Sequence, residues 1–187
     1  MKIIAVIVTY NRLPFLKQVV AALKHQTILI ETILVVNNSS SDGTKEWLIT
    51  QKDLITIEQQ NTGSAGGYNT GVKWAYEQGA DWIWMMDDDV LPAPDCLQQL
   101  LEYKTKSECL HPVHIDVTGV MQEEERWIDP DSCNAIALFN LSFKKGKKIW
   151  YRNTGSFEGM LVSACLVSKI GFPDARFFIV HDDLAYA

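Results

Sequence analysis

The sequence predicts an α/β fold built on a doubly wound, mostly parallel sheet, and three observations predict it. Strand-length apolar runs alternate with helix-length amphipathic runs through the first half of the 187-residue chain. That βαβαβαβ order implies right-handed crossovers, which lay helices on both faces of the sheet. Each predicted strand also runs into a polar or small-residue cluster, and ligands of such sheets sit at the strands' carboxyl ends.

The elements follow in order. Ile3–Thr9 is a continuous β-branched run, as expected of a parallel strand covered on both faces. Asn11 is placed to cap a helix over Leu13–His25, where Leu16, Val19, Val20 and Leu23 share a face. Glu31–Val36 reads as a second strand. The polar turn Asn37–Gly43 follows, with Ser41 or Asp42 to cap a helix over Thr44–Thr50. Leu54–Glu58 is a third strand. The small-residue loop Asn61–Gly67 leads into a helix over Tyr68–Gln78 that stops at Gly79. Trp82–Met86 is a fourth strand and runs directly into Asp87-Asp88-Asp89. Beyond Pro92 and Pro94 the pattern is less regular. It reads as a helix over Asp95–Tyr103, then short strands at Leu110–Ile115, Ala135–Ser142, Ile149–Arg152 and Gly159–Val162. A hairpin turn is expected around Gly146. No linker or internal repeat divides the chain.

Composition narrows the function. The chain is 47% hydrophobic and 21% charged, enough for one ordinary core. Its net charge of −6 argues against a nucleic-acid partner, which needs basic patches to neutralise phosphates. Phosphate recognition would need a local device, such as a metal ion or backbone amides. Cys96, Cys109, Cys133 and Cys165 form no Cys-x-x-Cys pair and read as reduced thiols of a cytoplasmic protein. The N-terminal apolar run is too short and too β-branched for a signal peptide, and no run is long enough to span a bilayer.

Three constellations carry chemistry. Asp87, Asp88 and Asp89 crowd three carboxylates at a strand end, which is costly unless a cation or solvent compensates. Alternation along a strand points Asp87 and Asp89 one way and Asp88 the other. One face then suits a hard divalent ion, magnesium or manganese, and the other the hydroxyls of a ribose or sugar. A solvated acidic turn is the plain alternative. Asn61–Gly71 lets backbone approach a ligand, with helix amides and a positive dipole end beyond it for a diphosphate. Its alternative is a tight turn in which glycine serves geometry alone. It is neither a dinucleotide fingerprint nor a P-loop. Asp182 and Asp183 end the apolar run Phe177–Val180, and one of them can act as a general base; the alternative is a helix cap.

In order and spacing these residues resemble family 2 glycosyltransferases. The resemblance runs through Val6–Arg12, Asn38–Thr44, the Asn61–Gly71 loop and Asp87–Asp89. It continues in Gly159–Ser163, Lys169, Gly171-Phe172, Phe177–Ile179 and Asp182-Asp183. The glycine loop and the aspartate triplet are most similar to the rhamnosyltransferase and galactofuranosyltransferase branch. The resemblance implies a GT-A fold: one domain over 1–187, an α/β/α sandwich with a mostly parallel central sheet. Residues 1–90 would form the nucleotide-sugar half and 91–187 the acceptor half. It implies that Thr9, Tyr10 and Arg12 border the nucleotide pocket, and that Asn37 and Asn38 face the base or ribose. Asn37 stands where the family more often has Asp. Asn61 and Gly66 would approach the donor, Asp88 would hold the ribose or sugar, and Asp87 and Asp89 would hold Mn2+ or Mg2+. Asp183, then Asp182, matches the catalytic base. The implied reaction moves a sugar, with inversion, from a UDP- or dTDP-sugar to a hydroxyl of a glycan or lipid-linked acceptor in cell-surface polysaccharide synthesis. Family members usually continue past this point with an arginine-bearing helix, so the chain is expected to be partial.

Lys144, Lys145, Lys147 and Lys148 can touch anionic lipid at the inner face of a membrane, although a solvated hairpin tip is the simpler reading. Cys109, His111 and His114 lack a fourth ligand for zinc. Trp127 and Trp150 are candidates for an acceptor platform. The rival functions are a sugar-phosphate nucleotidyltransferase and a non-catalytic nucleotide-sugar-binding module. The first calls for a basic, glycine-rich loop after the first strand, where this chain has Tyr10-Asn11-Arg12.

Overall fold

The computed structural model describes residues 1–116, 118–119, 126–129, 131–132, 135–137, 148–179 and 182–186. The alternation read from the sequence is present: β1 (Ile3–Thr9), α1 (Leu13–Lys24), β2 (Thr32–Asn37), α2 (Thr44–Thr50), β3 (Ile55–Glu58), α3 (Gly63–Glu77) and β4 (Trp82–Asp87). There follow α4 (Cys96–Leu101), β5 (Cys109–Leu110), β6 (Arg126–Ile128), β7 (Ala135–Ala137), β8 (Leu161–Ser163), α5 (Ala164–Ile170) and α6 (Asp182–Tyr186).

The main sheet has the order β3-β2-β1-β4-β8-β5. The four strands β3, β2, β1 and β4 are parallel, and β8 runs antiparallel to both β4 and β5. Strand order reverses on either side of β1, so the crevice between the carboxyl ends of β1 and β4 is the switch point where ligands of such sheets bind. β6 and β7 form a separate antiparallel pair.

Both faces of the sheet are buried at β1, β2 and β4, which is why these strands are apolar without alternation, whereas the edge strand β3 is largely exposed. Ile3, Ala5, Ile7, Trp84 and Met86 pack with Leu16, Val20, Leu48 and Leu97 of α1, α2 and α4. Ile4, Val6, Val8, Ile83 and Met85 pack with Tyr68, Val72 and Val167 of α3 and α5. The result is the α/β/α sandwich expected. No described helix is long and apolar enough to cross a membrane. Cys96, Cys109 and Cys165 are free thiols, and burial pushes the first two up to about 11, which leaves them protonated and unreactive. Cys133 lies outside the described residues.

Several boundaries differ from expectation. α3 begins at Gly63, five residues early, so most of the supposed glycine loop is the helix's first turns. Asn11 does not cap α1. It adopts φ +55°, and its Oδ1 accepts the Ser41 N–H at 2.7 Å. The first turn of α1 is satisfied by Asp42, whose Oδ2 accepts the Leu13 N–H at 2.9 Å, while its Oδ1 takes Thr44. Burial works against the Asp42 charge, but the bonds from Thr44 and Leu13 outweigh it and hold the carboxyl below its ordinary value. Residues 149–152 form no strand, and the strand expected over Leu110–Ile115 contracts to Cys109–Leu110. The expected hairpin turn around Gly146 lies outside the described residues.

Glycines seat α3 on the sheet. A Cβ on Gly67 would overlap Val8 of β1, and one on Gly71 would overlap Val6 and lie 3.3 Å from Val36 of β2. The two are one helical turn apart, so the helix backbone lies directly on β1. Gly71→Ala is therefore expected to cost about 1–3 kcal/mol in urea unfolding. Shrinking the obstacle in Val6→Ala/Gly71→Ala should recover part of that loss, seen as favourable coupling in a double-mutant cycle. Strictly additive losses would show that the two residues do not collide.

Candidate active site

The site forms where β1 and β4 end side by side, with Val8 paired to Asp87. The Thr9 hydroxyl donates to Asp88 Oδ2 at 2.7 Å, and both side chains are buried. Arg12, in the β1–α1 loop, donates to Asp89 Oδ2 and lies 3.6 Å from Asp88 Oδ1. Asp87 stands apart from these two. Its Oδ1 accepts the Tyr68 hydroxyl of α3 at 2.5 Å. β4 ends at Asp87, so strand alternation does not extend across the triplet. Asp88 and Asp89 share Arg12, in place of the expected split of Asp87 and Asp89 from Asp88.

Burial dominates the electrostatics. It pushes the Asp87 carboxyl up to about 7, with the charges of Glu158, Asp89 and Asp88 adding to the effect and the Tyr68 hydrogen bond opposing it. Asp88 is raised for the same reason, burial, against the stabilising Thr9 and Arg12 contacts. Glu158 arrives from the loop before β8. Gly159 N–H donates to Met85 O at 3.0 Å, which ties that loop to β4, and Glu158 is held by His114 at 3.3 Å.

Asn37 and Asn38 lie below the surface, although they were expected to face a ligand. Asn37 Nδ2 donates to both oxygens of Glu58, and its Oδ1 accepts Ser40. Asn38 Nδ2 donates to Gly63 O at 3.0 Å, and its Oδ1 accepts Gln59. Both amides are fully used in joining the β2 loop to β3 and α3. Tyr10 is about half exposed at the rim. Asn61 is exposed, and its Oδ1 accepts the Gly63 N–H at 3.0 Å, closing the first turn of α3. The space a Cβ on Gly66 would take is filled by Thr62, so this glycine serves the turn.

Asp182 is drawn into the same crevice. It is buried and accepts the Ser64 hydroxyl at 2.7 Å, and its charge reaches Tyr68. Asp183, beside it in the first turn of α6, is half-buried. Gly63, at φ +74°, lets the segment Phe177–Ile179 cross the start of α3, because the Phe178 carbonyl occupies the place of a side chain there. Thus Asp87 and Asp182, 95 positions apart in the chain, flank one helix terminus.

Three residues here were not singled out from the sequence: Tyr68, Ser64 and Glu158. Tyr68 left a signal, being the only bulky residue among the glycines of the loop. Glu158 left none, since its placement depends on the antiparallel return of β8. Trp150 joins Lys148, Ile149 and Tyr151 in lining a cavity of about 390 Å³. The Trp127 side chain and Lys144, Lys145 and Lys147 lie outside the described residues. His111 is pushed down to about 3 by burial, so it is neutral, and His114 is turned to Glu158. Among the described residues no three Asp, Glu, His or Cys side chains converge as a metal cage. The chemistry of the donor set still fits a hard cation. Asp87 is a poorly solvated carboxylate in the field of Glu158, Asp89 and Asp88, and Asp87 and Asp89 offer oxygen alone.

Residues 4–161 match the model of the Glycosyl transferase family 2, and the chain belongs to that family. Among individual proteins, it is 28% identical to the galactofuranosyltransferase GlfT1 of Mycolicibacterium smegmatis, across 96% of this chain and 62% of GlfT1. The chain therefore spans less than two thirds of that relative's length. The fold matches that of Staphylococcus aureus TarS 1–349 in complex with UDP, with a TM-score of 0.68 at 16% identity, over 100% of this chain and 54% of that one. It also matches the mannosyltransferase PcManGT from Pyrobaculum calidifontis in complex with GDP-Man and Mn2+. There the TM-score is 0.62 at 18% identity, over 98% and 50% of the two chains.

The buried carboxyl has a consequence for stability. Asp87 holds its proton up to about pH 7 in the folded chain but only to about 3.8 when unfolded. The native state therefore loses stability as pH rises between those values, and the cost is complete above pH 7. In metal-free protein, Asp87→Asn should unfold later than the parent at pH 8, by on the order of 2–4 kcal/mol. The difference should vanish toward pH 4. Thermal melts across that range check it, and a gap that did not change with pH would contradict it.

Proposed function

We propose that the chain transfers a glycosyl group, with inversion, from a nucleoside-diphosphate sugar to a hydroxyl of a glycan or lipid-linked acceptor. The setting would be cell-surface polysaccharide synthesis. The observation that carries this reading is the placement of Asp87, Asp88 and Asp89 where β4 ends beside β1, with Asp182 held by Ser64 at the adjoining start of α3. The family assignment supports a transferase, and relatives in the same fold were solved with UDP or with GDP-Man and Mn2+.

The residues divide the work. Thr9, Tyr10 and Arg12 border the donor's nucleotide, with Asn61 and Gly66 at the helix start beside it. Asn37 and Asn38 act from beneath by fixing Ser40, Gln59 and the α3 backbone. Asp88 orients the ribose or sugar. Asp87 and Asp89 would hold Mn2+ or Mg2+, which supplies positive charge against the diphosphate as it departs. Arg12, paired to Asp89 in the folded chain, would share that carboxylate with the ion. Asp183 takes the proton from the acceptor hydroxyl. The freed oxygen forms its bond to the anomeric carbon from the face opposite the leaving diphosphate, whose bond to that carbon breaks, so the configuration inverts. Asp182, anchored by Ser64, is the alternative base. The donor is expected to be a UDP- or dTDP-sugar.

Calorimetry with UDP, dTDP and GDP, with and without Mn2+, tests the donor side. Tight binding should need the metal, and Asp89→Asn should weaken it about tenfold or more. Binding indifferent to metal would defeat the reading of Asp87 and Asp89. For the base, Asp183→Asn should leave nucleotide binding intact and slow transfer by roughly 10²–10⁴. Loss in Asp182→Asn instead, with Asp183→Asn unharmed, would move the role to Asp182.

A further inference from the structure

None of the roles assigned above falls on Tyr68, yet it is a fully buried residue whose hydroxyl touches Asp87, the carboxylate that poor solvation pushes highest. Its ring packs against Phe157 with centroids 4.2 Å apart, and its hydroxyl donates to Asp87 Oδ1 at 2.5 Å. Packing needs only the ring, and a phenylalanine would fill the same volume. The hydroxyl is different. A buried polar group is retained at a cost unless it has a partner, and here the partner is a carboxylate.

Donor and acceptor are each set by rigid parts. Asp87 is the last residue of β4, in register with Val8. Tyr68 immediately follows Gly67, whose missing side chain lets α3 rest on that same Val8. The distance between hydroxyl and carboxylate is therefore fixed by backbone packing on both sides of β1, not by long side chains. Asp182 and its Ser64 partner sit on the same helix terminus, so the tyrosine stands between the two acidic parts of the crevice.

We propose that Tyr68 is a positioning residue for the cation: its hydroxyl commits one oxygen of Asp87 to the helix and so aims the carboxylate at the ion. This rests on the reading of Asp87 as a ligand. Partners of this kind, which hold a ligand without touching the ion, typically contribute 10–100-fold to metal affinity.

The test is Tyr68→Phe, which keeps the ring and removes the hydroxyl. Mn2+ uptake in the presence of saturating UDP is followed by electron paramagnetic resonance. UDP affinity without metal and the melting temperature are measured alongside. Mn2+ affinity should fall about tenfold or more, while metal-free UDP affinity holds. A melting temperature lowered with Mn2+ affinity unchanged would make the hydroxyl merely structural and overturn the proposal. Should Y68F not fold, the parent protein answers by NMR. The buried Tyr68 hydroxyl proton should shift when Mg2+ and UDP are added, and a fixed resonance would count against the role. Asp87→Asn separates the two levels. If it abolishes Mn2+ uptake and Y68F does not, only the assignment of Tyr68 fails. If the parent takes up no Mn2+ with UDP, both fail.

Discussion

The apolar run Trp82–Met86 carries β4 through the core and delivers Asp87 to a position where its charge is poorly solvated, and that placement governs the electrostatics around it. A carboxylate in such a place must find protons, donors or a cation. Tyr68 supplies one donor. Asp88 and Asp89 share a single guanidinium, and Glu158 adds charge without relief. The folded chain thus holds an acidic excess that a small cation bridging to a diphosphate would cancel. An isolated acidic loop in water would hold no such tension.

The same strand neighbourhood fixes where the helix terminus lies. Gly67 and Gly71 let α3 settle on β1, and Gly63 lets the Phe177–Ile179 segment cross its first turn. Around them the loops are stitched together. Asn11 and Asp42 join the β1 loop to the β2 loop, and Asn38, Ser39 and Gln59 join the β2 loop to the end of β3 and the start of α3. Asn11 and Ser39 accept left-handed backbone to make those bonds. The crest above the parallel strands is therefore set by side-chain to backbone bonds, so the polar groups there are in place before any ligand arrives.

Legibility from sequence followed the range of the interactions. β1, β2 and β4 were readable because burial on both faces writes itself as contiguous apolar runs, while the exposed edge strand β3 showed only a short β-branched pattern. The start of α3 was misplaced by five residues because Gly63–Gly67 looks like loop by propensity. There, tertiary contact with β1 outweighs the cost of glycine in a helix. Asn11 was read as a cap by local rule, and a residue 31 positions on, Asp42, took the role through space. In the site, the aspartates were visible as residues, but their partners were not. That Asp87 would face Tyr68, while Asp88 and Asp89 faced Arg12, depends on where β4 stops, and a single residue at a strand end decides it. The short strands of the second half carried the least signal, since β8 is defined by pairing with β4 across the whole intervening chain.

Arg12 then takes on a meaning that neither its sequence context nor its exposure suggests. It is half exposed, yet it reaches across the crevice to two carboxylates from the turn that follows β1. An arginine at a nucleotide rim would ordinarily be read as a phosphate contact. Here its guanidinium occupies Asp89, one of the two oxygen donors nearest the switch point. On the reading proposed above, a cation at Asp89 would weaken the hold of Arg12 on that carboxylate. Loading of the proposed site would then free Arg12, and the donor's diphosphate would be the anion placed to receive it. The short acidic strand end and the basic turn beside it form one exchange of charges. On that same reading, the protein's own ion pair would neutralise these carboxylates until donor and cation took its place.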